Sequence, residues 1–278
     1  MAERILLAGC GDLGHRVAQR LLARGDEVFA LRRQPPADAP AGIRWLRGDL
    51  ARPSTYADGL PAGLDRLVYL PAPAAREAAA YRAVFGDGLR DLLAALDRSR
   101  LARVLFVSSS AVYGEHGGQW VDEATPPAPL GFNGAVLREA ECWLAGQPLR
   151  SVALRLAGLY GPGRLQLAER LRAGTVRVPR AAPHWANRIH VDDAAAAIVH
   201  LLDLADPAPL YLGVDDTPLP LDVLYDHLAG LLGVAPPADG PAPANVGSKR
   251  LSNARLRASG FAFRWPDARA GYAALLGA

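Results

Sequence analysis

The stretch Arg4–Arg33, RILLAGCGDLGHRVAQRLLARGDEVFALRR, decides how the rest of the chain is read. Ile5-Leu6-Leu7-Ala8 is a short apolar run, the pattern of a strand buried on both faces. Gly9-Cys10-Gly11-Asp12-Leu13-Gly14 follows directly. Val17, Leu21 and Leu22 then recur at helical spacing, and Gly25 closes the helix. Glu27-Val28-Phe29-Ala30-Leu31 is a second strand. Three glycines thus sit where a strand turns into a helix inside a βαβ unit, the setting in which a GxGxxG match carries weight.

Each glycine has a physical task in that setting. Gly9 permits the tight turn, Gly11 lets the backbone approach a pyrophosphate, and Gly14 lets the helix pack on the strand. Asp12, Leu13 and Gly14 open the helix, whose free N–H groups and partial positive charge favour phosphate. A glycine-rich turn with no ligand is the plain alternative. An Asp or Glu about 20 residues on would hold the ribose hydroxyls of NAD. Leu31, Arg32 and Arg33 stand there instead. Two guanidiniums suit a 2′-phosphate, which favours NADP(H) over NAD(H); the alternative is that either arginine is simply a solvated surface charge.

The 278 residues suffice for one large α/β domain or a domain with a small lobe. Hydrophobic residues make up 50 %, which permits a sizeable core and argues against disorder. A formal net charge of +3 without a basic run gives no case for nucleic acid. Lys249 is the only lysine, and the other 30 basic residues are arginine. With abundant Ala, Pro and Gly, that composition points to a bacterium with GC-rich codons. Cys10 and Cys142 are isolated thiols, as expected of a reducing cytoplasm. Met1-Ala2-Glu3-Arg4 leads straight into the first strand, so no signal peptide is expected. No apolar run approaches the ~18 residues of a membrane span. The six histidines are scattered and none pairs at metal-ligand spacing, so no metal is expected.

Further strands are expected at 43–46, 67–70, 104–107, 151–154 and 210–212, with helices at 74–96, 134–144, 165–171, 192–202 and 220–232. Residues 34–41, QPPADAPA, form a polar, proline-rich loop. This alternation implies an α/β fold: a doubly wound parallel Rossmann sheet over residues 1–158, then a small mixed α/β substrate lobe over 159–278. Ligands of such sheets bind beyond the C-terminal ends of the strands. Those ends are the glycine loop, Leu31–Arg33, Asp49–Leu50, Leu70–Pro73, Ser108–Ser110 and Arg155–Ala157. Leu89, Leu92, Leu93 and Leu96 form an apolar stripe that core packing alone explains.

Three further segments complete a pattern. They are Ser108–Gly114 (SSSAVYG), Arg155–Gly163 (RLAGLYGPG) and Asn187–Asp193 (NRIHVDD). Together with the glycine loop they resemble the extended short-chain dehydrogenase/reductase superfamily, the NAD-dependent epimerase/dehydratase group, over nearly the whole chain. The resemblance implies a nicotinamide coenzyme in an extended pose. It puts Asp49 and Leu50 by the adenine and Leu70, Pro71 and Ala72 along the middle. The strand ends add Ser108, Leu156 and Ala157 as coenzyme contacts. Ser109 falls on the family's catalytic Ser/Thr, and Ser110 and Ala111 fall where the dehydratase branch carries Asp and Glu. In many relatives the leucine-striped helix helps build a homodimer.

The same resemblance exposes a departure. The family uses Tyr-x-x-x-Lys, in which lysine tunes a tyrosine that would otherwise titrate near ~10. Asn133 takes the tyrosine place and Leu137 the lysine place, while Asn245 stands four before Lys249. The chain is then either an oxidoreductase or epimerase-like enzyme with a replacement proton donor, or a non-catalytic NADP(H)-binding sensor or partner-binding module. Tyr113, Tyr160 and His190 are the candidate donors; as alternatives, Tyr113 and Tyr160 are packed rings and His190 a capping-region side chain. Ser110, Asn133, Tyr160, Arg164, Arg188 and Arg250 are candidate substrate contacts, the arginines suiting phosphate or carboxylate unless they are unrelated surface charges. Gln119 and Trp120 lie on a loop that could touch a substrate.

Overall fold

Ile5, Leu6, Leu7 and Ala8 are all wholly buried, which only a central strand allows. The computed structural model describes residues 2–36 and 41–277. Of the loop expected over 34–41, residues 37–40 lie outside that set.

The chain runs β1 (Arg4–Ala8), α1 (Asp12–Ala23), β2 (Glu27–Arg32), β3 (Ile43–Arg47), β4 (Arg66–Tyr69) and α2 (Ala78–Tyr81). A π-helical stretch (Arg82–Asp87) leads into α3 (Gly88–Ala95), β5 (Arg103–Ser109), β6 (Trp120–Val121), α4 (Phe132–Ala145) and β7 (Ser151–Leu156). Then come β8 (Gly158–Tyr160), α5 (Gln166–Arg172), β9 (Arg177–Val178), β10 (Trp185–Ala186), β11 (Arg188–His190), α6 (Val191–Asp203) and β12 (Leu210–Gly213). The last elements are β13 (Leu219–Pro220), α7 (Leu221–Leu232), β14 (Ala238–Asp239), β15 (Arg250–Leu251), α8 (Ala254–Ala258) and α9 (Ala268–Leu276).

The doubly wound parallel sheet is present. Seven strands lie in the order β12-β7-β5-β4-β1-β2-β3. Ile5 is registered with Val28 on one side and Arg66 on the other, both parallel. The order reverses beside β1, which puts the glycine loop at the switch point where such sheets bind ligands.

One expected helix differs. Residues 74–96 are not one helix: regular structure starts at Ala78, and a π stretch interrupts it before α3. Glu77 is extended before α2 (φ −131°, ψ 150°), so the first turn cannot begin earlier. Past the π stretch, a Cβ on Gly88 would lie 2.6 Å from Leu50 O, so the helix passes hard against the β3–β4 connection. Short π insertions of this kind gather at functional sites.

The chain forms two compact units. Unit 1 comprises Met1–Ser109, Phe132–Leu154 and Ala195–Leu210; unit 2 comprises Ser110–Gly131, Arg155–Ala194 and Tyr211–Ala278. Each unit is thus assembled from three separate segments of the chain. The core of unit 2 gathers Tyr160, Val178, Leu224, Leu228 and Tyr272.

Unit 1 depends on one buried cation. Arg103, 3 % exposed at the start of β5, donates through Nη1 to the carbonyls of Leu201, Leu202 and Leu204 at 3.0, 2.8 and 2.7 Å, and through Nη2 to Ala205 O at 3.2 Å. The first three are orphan carbonyls at the C-terminal end of α6, and Ala205 lies just beyond it. Arg103→Leu strands them in the interior. It is expected to lower unfolding free energy by about 3 kcal/mol in a urea titration, with the slope unchanged.

Candidate functional site

The site in unit 1 is a cavity of about 560 Å³ lined by Gly9, Gly11, Leu31–Gln34, Gly48–Ala51, Pro71, Ala72, Ala74, Ala80, Ala83 and Val84. Gly9 has φ +94°, and a Cβ there would lie 2.3 Å from Pro71 Cα. Its N–H donates to Leu31 O at 3.0 Å, and the Cys10 N–H reaches the same oxygen at 3.3 Å. Gly11, the N-cap of α1, has nothing within 4 Å of its would-be Cβ and no side chain capping the helix. The first N–H groups of a 12-residue helix therefore end in open space beside the cavity, a cradle for an anion. At Gly14 a Cβ would meet Cys10 Sγ at 3.0 Å, so this glycine serves the packing of helix on loop. Burial pushes the Cys10 thiol up to about 12, which keeps it protonated and unreactive.

Arg32 is half-buried and Arg33 exposed; both line the cavity, and among the described residues neither pairs with a carboxylate. The Asp49 carboxylate accepts from the Ala51 N–H (3.1 Å) and from Arg52 Nε (3.2 Å), which shapes the loop under Leu50. Pro71 and Ala72 face the cavity. Leu13 and Leu70 are buried, Leu70 against Gly14, and the Asp12 carboxylate pairs with Arg16. Ala80 of α2 and Ala83 and Val84 of the π stretch also line the cavity, and no local signal in the sequence marked them.

At the end of β5, Ser108 Oγ donates to Glu141 Oε1 at 2.6 Å, and both residues are buried. Ser109, the last residue of β5, is half-buried. Asn133, Leu137 and Glu141 lie four apart on α4 and so share a face. Asn133 is half-buried and Leu137 buried. Sequence reasoning passed over Glu141; a carboxylate at the third step of that face was its signal.

The remaining candidates lie in unit 2. Ser110 opens a 3₁₀ turn. Tyr113 is 2 % exposed; its hydroxyl donates to Asp122 O at 2.8 Å and accepts from Arg155 Nη1 at 2.6 Å, with that guanidinium 4.8 Å over the ring. Tyr160 and His190 come together, edge to face with centroids 5.1 Å apart, and both are buried. Tyr160 stacks on Tyr272 at 4.5 Å, and His190 Nδ1 accepts the Asp192 N–H at 3.2 Å. Leu156 and Ala157 are buried. The Arg164 N–H donates to Gly161 O (3.0 Å), and Arg188 donates to Asn187 O (3.1 Å) and Tyr225 Oη (3.4 Å). Arg250 is half-buried. Among the described residues no group of three or more His, Cys, Asp or Glu could hold a metal ion, and no helix is long and apolar enough to cross a membrane.

Comparison with known proteins is consistent with this geometry. The family model of the NAD dependent epimerase/dehydratase family matches residues 5–211. Protein YeeZ of Escherichia coli K12 is 29 % identical over 274 residues, covering 95 % of this chain and 97 % of its own. A 3-diazoavenalumate denitrifying reductase from Streptomyces is 30 % identical over 263 residues, covering 86 % of this chain and 84 % of its own. A solved NAD-dependent epimerase/dehydratase-type structure from Methylobacillus flagellatus superimposes with a TM-score of 0.84 at 43 % identity, covering 100 % of this chain and 98 % of that one.

The interior of unit 2 also holds a titrating carboxyl. Asp215 is 1 % exposed, Oδ1 accepts the Thr217 N–H at 3.3 Å, and Oδ2 has no partner. Burial pushes this carboxyl up to about 8, Asp267 adds to the shift and Arg188 opposes it. The folded state thus keeps a proton that the unfolded chain loses near ~4. Stability is highest below that value and falls as pH rises towards 8. Asp215→Asn removes that slope. Thermal melts are expected to show the variant more stable than the wild type at pH 8.5, by roughly 2 kcal/mol, with the gap closing towards pH 5.

Proposed function

Since the chain belongs to the NAD-dependent epimerase/dehydratase family, we propose that it is an oxidoreductase that uses NADP(H) in preference to NAD(H) and acts on a small molecule. The observation that carries this is the cavity of unit 1, with a glycine loop and an uncapped helix N-terminus at one place and two guanidiniums, unpaired among the described residues, at another. Gly9, Gly11 and the first N–H groups of α1 would hold the pyrophosphate. Arg32 and Arg33 would grip the 2′-phosphate with paired hydrogen bonds, and Asp49, Leu50, Ala83 and Val84 would enclose the adenine. When bound, the coenzyme supplies hydride chemistry. Ser109 would hold the substrate oxygen. One relative bears the name of a reductase, which supports the same reaction class.

A second reading has its own observation. Asn133 releases no proton near neutral pH, Leu137 carries no charge to tune a neighbour, and the Tyr113 hydroxyl is already committed to Arg155 and Asp122. These features favour a protein that binds NADP(H) as a sensor or partner-binding module without turning it over.

Fluorescence titration of the whole chain with NADPH and NADH separates these cases. NADPH is expected to bind, and the double substitution Arg32→Ala/Arg33→Ala is expected to weaken it at least about tenfold while changing NADH by less than about threefold. Binding of NADH alone would remove the NADP(H) preference. Tight NADPH binding with no oxidation across a panel of aldehydes and ketones would favour the sensor.

A further inference from the structure

Unit 2 contains a fixed guanidinium with no counter-charge among the described residues. The parallel pair β6/β15 registers Arg250 with Trp120. The guanidinium carbon lies 5.1 Å from the Trp120 ring centroid and 4.7 Å from that of Trp185. Its Nε donates to Gly118 O at 2.7 Å. The backbone around it is tight: a Cβ on Gly118 would lie 2.8 Å from Trp185 Nε1, and one on Gly247 would lie 2.2 Å from Gly114 O. The cation is therefore held between two indoles before any ligand arrives. Among the described residues no carboxylate pairs with it.

The surrounding polar groups narrow the choice of ligand. Lys249, 5 % exposed, donates to Gly247 O at 3.1 Å and Gly114 O at 3.5 Å. Glu115 accepts the N–H groups of Gly117 (2.6 Å) and Ser248 (2.7 Å). Both charges are spent on backbone. His184, buried just before Trp185, has an Nε2 with no partner, and so does His116 on the loop after Tyr113. Burial holds His184 below the usual histidine range, so it is neutral and can offer a single N–H. Trp120 is 56 % exposed, the most exposed large hydrophobic side chain among the described residues.

We propose that the Trp120–Arg250–Trp185 stack binds the carboxylate of a small planar acid whose flat body lies on the exposed indole of Trp120. This rests on the reading that the chain acts on a small molecule, and it names the class. A planar fork meets a carboxylate through two parallel hydrogen bonds. One guanidinium supplies one such pair, which matches a monoanion; a diphosphate would need a second free cation, and Lys249 is engaged. An indole face left open beside the fork gives a flat ring or conjugated chain its apolar contact.

The test is tryptophan fluorescence of the whole chain titrated with trans-cinnamate, benzoate, UDP and inorganic phosphate. Saturable quenching by cinnamate is expected, with UDP and phosphate failing to saturate over the same range. Arg250→Gln is expected to weaken cinnamate at least about tenfold, Arg250→Lys to weaken it because a point charge replaces the fork, and Trp120→Ala to weaken it about threefold or more. Circular dichroism checks that each variant is folded. UDP binding more tightly than cinnamate, cinnamate binding unchanged by Arg250→Gln, or no saturation with any probe would each overturn the proposal. A chain that binds NADPH but not cinnamate would keep the cofactor reading and lose this one.

Discussion

The contact of the Gly9 backbone with Pro71 is the constraint on which the cavity of unit 1 depends. With no side chain at residue 9, the turn after β1 presses against the residues following β4, and its N–H groups reach the Leu31 carbonyl near the end of β2. Three strand ends meet at one point. A methyl group there would overlap the Pro71 backbone and force β1 and β4 apart. The open space before Gly11 exists because this turn holds its place, and α1 starts where that turn aims it.

Arginine does several kinds of work in this chain, and the surroundings decide which. Arg103, deep in unit 1, is a helix cap made from a side chain on a distant strand. Arg155 fixes the Tyr113 ring and occupies its hydroxyl. Arg24 is neutralised by Asp26, while among the described residues Arg32 and Arg33 pair with no carboxylate. A solvated cation costs little, and both of these stand at the rim of the cavity that the glycine loop lines. The one lysine occupies a buried place between two carbonyls, where a compact ammonium fits.

Much of the fold was legible in the residues because its signals are local. Apolar runs at Ile5–Ala8 and Val104–Val107 mark strands buried on both faces, and a glycine-rich turn between strand and helix needs no distant partner to be recognised. That several of the named residues would gather around one cavity was legible for the same reason. Gly9, Gly11, Arg32, Arg33, Asp49, Pro71 and Ala72 all follow strands, and in a parallel sheet strand ends gather on one edge. The π stretch was not legible, and neither was the close approach of Gly88, just after it, to Leu50 O, a contact 38 residues apart in sequence.

By itself, then, the sequence determined the fold class, the place of the glycine loop and the residue types at its mouth, because periodicity and turn chemistry act over a few residues. Tertiary structure alone decided which polar groups are free to act. Tyr113, Tyr160 and His190 carry titratable groups in any listing of the chain, yet all three are buried, with Tyr113 held by Arg155 and His190 between aromatic rings. Glu141 looks like a helix-surface charge until Ser108 is found beside it. Asp215 looks like an ordinary acid until the interior of unit 2 closes over it. Burial and hydrogen-bond partners come from segments far apart in the chain, and these set whether a side chain packs, titrates or binds.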